Sequence, residues 1–470
     1  MSSILIKNPL LCCKIKEDFN SPNVLDSFNE GHIYIENNII IAAGPENFQG
    51  TADKIIDASR MVVLPGFINT HHHFYQTLTR NIFATQKSEL FDWLTTNYEI
   101  WRNIKGEGFY ISAKTAIAEL LKSGCTTTSD HLYLFPNQAE KTLIDREIFA
   151  ARELGIRFHP TRGSMSLSKK DGGLPPDDVI QTEVEIEKDI DRLVKTYHDD
   201  SFGSMLRIAL APCSPFSVTK DSMQKTAAFA NRNNLQIHTH LAETKDEENF
   251  CIEKFGQRPF ELMESLNWIS NNVWFAHSIF LNNAEIEKAG NAKIGISHCP
   301  TSNMRLGSGI CRIRELLDAG VNVSLAVDGS ASNDSSNMLL ELRNAMLLSR
   351  LREPKYWLNT EDVIWMATMG GAKALGRNDI GQIQPGKCAD IMMVSMDRLE
   401  FAGAQHDPAA AIVFNTLLNP IDYSIINGKI IVENGKINNF NELNLIQLQQ
   451  KISTKIVKKA EHNINKKLIR

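Results

Sequence analysis

Two histidines two residues apart give the first hint of chemistry in this chain. In PGFINTHHHFYQ (65–76), a β-branched run ends with His71 and His73. Alternate residues of a strand project to one face, so these two imidazoles form a clamp, while His72 turns to the other face and reads as structural. A second pair, His238 and His240 in HTHLAE, shares a face in the same way, with Glu243 three residues beyond. One of that pair should complete a ligand set, and spacing alone does not choose between them. LAVDGS puts Asp328 at the end of a further run, where a carboxylate can bind an ion and take a proton from its water, and FAHS ends another run with His277. Singly, a histidine is most often a core imidazole and an Asp-Gly a turn. Their coincidence at the ends of several β runs is the signal. Three His and one Asp make a nitrogen and oxygen donor set that suits Zn²⁺, with Fe²⁺ or Mn²⁺ as alternatives. Water bound to such an ion has its pKa lowered from about 15.7 toward roughly 7. A second ion would call for a lysine at the end of the fourth run, and LRIALAPCSP (206–215) has none, so one divalent ion is expected.

Residues so placed need a scaffold that gathers strand ends. Between 61 and 375, short apolar runs alternate with helical patterns such as 108–124 and 336–351. Candidate strands fall at 61–70, 125–132, 156–162, 206–213, 235–243, 273–279, 292–300 and 322–329. Eight such units fit an α/β fold closed into a (β/α)8 TIM-type barrel, whose site is assembled from loops at the C-terminal ends of its strands. Two loops are long, Phe74 to Gly106 and Gly163 to Gln181, and KKDGGLPPDD in the second is too rich in Gly and Pro for a helix and is a candidate lid. In the first, Trp93 and Trp101 could stack on a planar ring, although helix packing is the commoner fate of such tryptophans. Flanking the barrel domain (61–379), residues 1–60 and 380–437 read as short strands with Gly and Asn turns, expected to form one small β-sandwich from both termini. Residues 438–470 have helical periodicity and a basic end, and read as a surface helix or subunit contact rather than a membrane anchor.

The composition excludes several other classes. A net charge of −5 over 470 residues offers no basic footprint, so nucleic acid is an unexpected partner. No apolar run approaches the roughly 20 residues that cross a bilayer, and the N-terminal MSSILIKNPLLCC lacks secretory features, so no membrane association and a cytoplasmic location are expected. The 8 cysteines form no CxxC pair and read as reduced core thiols.

Taken together, LPGFINTHHH, GCTTTSD, HTHLAET, FAHS, SHCPTSN and AVDGSASN resemble the amidohydrolase superfamily, in its branch of mononuclear aminoheterocycle deaminases. The resemblance spans about residues 1–437. It implies that His71, His73, His240 and Asp328 are the ligands, choosing His240 over His238. It further implies that Glu243 shuttles a proton to the ring, that His277 orients the attacking water and that Asp328 takes the water proton. Within the branch, LFDWL, SGCTTTSDHLYLFP and LAPCSPFSVT are most similar to 8-oxoguanine deaminases, which implies conversion of an oxidised purine, a small molecule, to urate and ammonia. Hydroxytriazine, guanine and isoxanthopterin aminohydrolases, and more distantly cyclic amide hydrolases and scaffold proteins without metal, are the alternatives. Guanine deaminases share Gln76, which there contacts the purine, but their arginine after the fourth-strand proline is replaced here by Cys213. Arg162 is a candidate substitute donor to a substrate oxo group. Relatives in the branch are often multimeric, which makes a homo-oligomer possible.

Overall fold

The computed structural model describes residues 2–46, 48–415 and 419–470. Eight parallel strands follow one another in chain order: Phe67–Asn69, Cys125–Leu132, Arg157–Ser164, Ala209–Pro212, Ile237–Leu241, Val273–His277, Gly295–His298 and Asn322–Leu325. The ring closes at the ends of the first and last strands. There Thr70 N–H donates to the Leu325 carbonyl at 3.4 Å and Asp328 N–H to the His71 carbonyl at 3.1 Å. Closure of this TIM-type barrel therefore brings His71 against Asp328. Nearly every strand residue is buried, as expected where helices cover one face and the barrel interior fills the other.

The run 61–70 is not one strand. Met61–Pro65 pairs antiparallel with Ile391–Ser395 in a seven-stranded sheet, and only Phe67–Asn69 enters the barrel. Gly66 makes the step between them, and a Cβ there would lie 2.1 Å from the Thr126 side chain, so no larger residue fits. The boundary read from periodicity at residue 61 thus differs from the structure by the length of one short strand, because an uninterrupted apolar run serves two sheets. The seven-stranded sheet and a four-stranded sheet built from Ser3–Lys7, His32–Glu36, Ile39–Gly44 and Lys54–Asp57 enclose a separate core that includes Ile6, Ile33, Ile40, Val63 and Ile391. This small β domain is fastened to the barrel by Arg157, which grips Asp390 through two bonds of 2.8 and 3.0 Å and also donates to the Gly203 and Ser204 carbonyls at 2.7 Å.

The long first loop holds two ordered pieces, a 3₁₀ segment Phe74–Thr79 and a helix Leu90–Trp101. The second, 163–181, has only short turns at Lys169–Asp171 and Asp177–Val179. Near the C-terminus, the helix Glu442–Ile464 buries Leu445, Ile456, Val457 and Ala460 against the body of the protein. No helix among the described residues is long and apolar enough to cross a membrane, and all the cysteines are free and buried.

Candidate metal centre and substrate cavity

His71, His73, His240 and Asp328 converge at the C-terminal mouth of the barrel. Asp328 Oδ1 lies 3.4 Å from His71 Nε2 and 3.3 Å from His73 Nε2, and His73 Nε2 lies 3.1 Å from His240 Nε2. The partners of the other ring nitrogens assign each tautomer. His73 Nδ1–H donates to the His131 carbonyl at 2.8 Å, and His240 Nδ1–H to the Cys213 carbonyl at 2.7 Å. His238 Nδ1–H donates to the Trp274 carbonyl at 2.8 Å, which leaves His238 Nε2 to accept from His71 Nδ1–H at 2.7 Å. All three cluster imidazoles thus turn an Nε2 lone pair inward. Burial holds His71, His73 and His240 below the ordinary imidazole value, so they are neutral.

Two lone pairs facing each other across 3.1 Å, a third on a buried His71 Nε2 without any hydrogen-bond partner, and a carboxylate beside them repel one another unless a cation lies between. The donor set therefore fits a divalent metal ion. Burial raises the Asp328 carboxyl, but the surrounding imidazoles of His71, His277 and His73 outweigh it and hold the group well below the usual carboxylate range. The same logic separates the second histidine pair. His240 presents its free nitrogen to the cluster, while His238 spends its own on orienting His71.

A fourth imidazole stands in the cluster that the sequence reading did not single out. One ring nitrogen of His131 lies within 4.8 Å of nitrogens of His71, His73 and His240; its Nε2–H donates to the Ala211 carbonyl at 2.9 Å, and its Nδ1 has no partner. It ends the second strand as the other histidines end theirs, and that position was the available signal.

Above the cluster lies a pocket with about 400 Å³ of atom-free space, open solvent included. His73, His240, Glu243, His277 and Asp328, from the barrel mouth, form its polar floor, and Gln76, Ser332, Cys213, Phe216 and Tyr133 also line it. The helix Leu90–Trp101 roofs it with Leu90, Trp93, Leu94 and Tyr98. The cover therefore comes from the first long loop, and no residue of the KKDGGLPPDD segment reaches the cavity lining. Trp93 lines the cavity, whereas Trp101 is packed in the core with its Nε1–H on Thr79 Oγ1 at 2.9 Å.

Glu243 is buried, and desolvation pushes it up to about 6 against the opposing pull of His277. His277 Nδ1–H donates to Asn303 Oδ1 at 2.9 Å, leaving Nε2 3.7 Å from Glu243 and 3.9 Å from Asp328. Burial lowers His277, but those two carboxylates and the Asn303 bond outweigh it and raise the imidazole above its ordinary value. Both His277 (φ 68°) and Asp328 (φ 63°) sit in the left-handed backbone region, a strain that folded chains tolerate where it aims functional groups. Gln76 keeps its Oε1 free of any protein partner, and a Cβ on Gly329 would come within 1.9 Å of that atom. The glycine of AVDGS thus makes room for Gln76. Arg162 is not brought to the cavity: its guanidinium donates to Asp189 at 2.6 Å, to Gln181 at 2.7 Å and to the Gly163 carbonyl, and it stacks 4.1 Å from the Phe135 ring.

A model of the amidohydrolase family matches residues 62–431. The chain belongs to the amidohydrolase family. This amidohydrolase is 47% identical over 416 residues to an 8-oxoguanine deaminase of Pseudomonas aeruginosa, covering 88% of this chain and 90% of that one. It is 32% identical to the hydroxydechloroatrazine ethylaminohydrolase of Pseudomonas sp. strain ADP, over 86% and 85% of the two chains. Among solved structures, the zinc complex of atrazine chlorohydrolase TrzN from Arthrobacter aurescens superposes with a TM-score of 0.90 at 30% identity, over 96% of this amidohydrolase and 100% of that chain.

Proposed function

We propose that this protein is a hydrolytic deaminase of an oxidised purine, converting 8-oxoguanine and water to urate and ammonia. The observation that carries the reading is the gathering of three inward Nε2 lone pairs, on His71, His73 and His240, beside the Asp328 carboxylate and beneath a pocket that Glu243 and Gln76 also line. The 47% identity to an 8-oxoguanine deaminase supports the substrate.

His71, His73, His240 and Asp328 would hold one divalent ion, most suitably Zn²⁺, with Fe²⁺ or Mn²⁺ as alternatives. The ion would lower the pKa of a water to roughly 7 and make it a nucleophile at neutral pH. Asp328 stays ionised and can take the water proton. Glu243, at about 6, is poised to carry a proton near neutral pH and to deliver it to the ring nitrogen beside the carbon that bears the amine. His277 Nε2, between Glu243 and Asp328, is suited to hold the attacking water and to stabilise charge as it develops. Gln76, with its Oε1 free, would bond the polar edge of the purine. Arg162 drops out of the substrate set because its donors already serve Asp189, Gln181 and Gly163. The fourth strand ends on Pro212 followed by Cys213, without a lysine to bridge a second ion, which favours deamination over cyclic amide hydrolysis.

The test is ammonia release from 8-oxoguanine, guanine, isoxanthopterin and hydroxytriazines by the zinc-loaded protein. Turnover should be fastest on 8-oxoguanine. If guanine is turned over equally well, the substrate assignment fails and the deaminase assignment stands.

A further inference from the structure

We infer that the C-terminal helix Glu442–Ile464 is a positioning element of the substrate site, acting through Ser453 and Gln449 on the segment that presents Gln76. The inference rests on the proposed role of Gln76 as a purine contact.

That segment, Phe74–Thr79, is a six-residue 3₁₀ turn with no side-chain cap at its start, a kind of element too short to hold its own geometry. Its three residues after Gln76 are each tied down from outside. Thr77 Oγ1 accepts from Gln449 Nε2 at 3.0 Å, and the Leu78 carbonyl accepts from Ser453 Oγ at 2.7 Å, both from the C-terminal helix. Thr79 Oγ1 donates to the Gln76 carbonyl at 3.2 Å and accepts from Trp101 Nε1, at the end of the cavity roof, at 2.9 Å. Gln449 is itself fixed by Thr115 Oγ1 at 3.2 Å, on the helix Gly106–Lys122 behind it.

The end of the chain extends the grip along the same loop. Leu468 is 1% exposed, and its carbonyl accepts from Ala84 N–H at 3.1 Å, just before the roof helix begins. Glu461 folds this tail back by accepting from the Leu468 and Ile469 N–H groups at 2.8 and 3.2 Å. Residues of the C-terminal segment thus hold both the stretch that carries Gln76 and the stretch that leads into the roof, while none of them lines the cavity. The arrangement lets a helix outside the barrel set how precisely a substrate contact is aimed. Small displacements of such contacts are costly: about 1 Å of misplacement can cost on the order of 10²-fold in rate.

The experiment is a double-mutant cycle on the zinc-loaded full chain, pairing Gln449→Ala/Ser453→Ala with Gln76→Ala and reading kcat and KM for 8-oxoguanine, zinc content and thermal midpoint. Gln449→Ala/Ser453→Ala should raise KM roughly tenfold, with kcat within about twofold and zinc content unchanged. In the Gln76→Ala background the same pair should raise KM no further. A lowered melting point with an unchanged KM, or an equal rise in KM with Gln76 already removed, overturns the inference while leaving Gln76 as a contact. An unchanged KM in Gln76→Ala alone instead overturns the reading of Gln76, and this inference with it.

Discussion

His238 makes no contact with a bound ion in the arrangement described, yet its replacement should weaken the site. Its Nε2 is the acceptor for His71 Nδ1–H at 2.7 Å, and this bond keeps the proton off His71 Nε2. In His238→Phe the aromatic stack on Trp274, with centroids 4.5 Å apart and planes at 16°, has a ring to preserve it, but the acceptor is gone. Without the ion, His71 can then shift its proton to Nε2, which faces Asp328 Oδ1 at 3.4 Å, and gain a hydrogen bond to a carboxylate. Such a bond is worth about 1.5–3 kcal/mol, and the bond lost to His238 was worth about 1 kcal/mol. Ion binding must first undo the new bond, so affinity should fall about 10- to 100-fold, equivalent to about 1.4–2.7 kcal/mol. Equilibrium displacement of zinc by a chromophoric chelator measures this directly. If the variant, folded as judged by its melting curve, binds zinc within about twofold of the parent, the tautomer argument is wrong.

Three further outcomes follow from the same geometry. Glu243→Gln should lower turnover by about 10²- to 10⁴-fold while leaving zinc content intact, as assayed by ammonia release and metal analysis; full activity would remove the proposed shuttle. Arg157→Met strands the Asp390 carboxylate in a buried joint between barrel and small domain and should cost about 3–5 kcal/mol, much of it recovered in Arg157→Met/Asp390→Leu, as read from thermal midpoints. Glu341 is buried on the helix Met338–Ser349, and desolvation pushes it up to about 7 despite hydrogen bonds from Thr301 and Asn333. A carboxyl raised in this way favours the fold fully below its unfolded value near 4.5 and loses that contribution as pH climbs through 7. Glu341→Gln should therefore gain about 3 kcal/mol on the parent between pH 4.5 and 8, and parallel pH profiles of the two melting points would dismiss Glu341 as the source.

What the sequence made legible is what geometry along a single strand dictates. His71 and His73 share a face because a strand repeats every two residues, and that rule needs no tertiary contact. For the same reason it could not separate His238 from His240, which share a face equally well. Their difference lies in carbonyls from other strands, Trp274 for one and Cys213 for the other. Arg162 was misjudged for a related cause: Asp189, which engages it, lies on a helix 27 residues further along, and no local pattern joins the two. The roof helix does carry a signal in the sequence. Leu90, Trp93, Leu94, Tyr98 and Trp101 recur at helical spacing, and all five are buried in the structure.

The same division separates the proposed ion site from the substrate cavity. Its four groups end barrel strands, and barrel closure alone, through the Asp328 N–H bond to the His71 carbonyl, sets two of them against each other. The cavity above is assembled from loops that differ in length and from a roof on the first of them, so its shape depends on how those loops are pinned rather than on the barrel. Gln76 illustrates the dependence: its place is bounded by Gly329 on one side and by Thr79, Leu78 and the C-terminal helix on the other. A barrel with the same floor can accordingly present a different ring-binding edge when these outer supports change. The supports of the first loop, rather than the ligands, are where selectivity for an oxidised purine over a triazine should be sought.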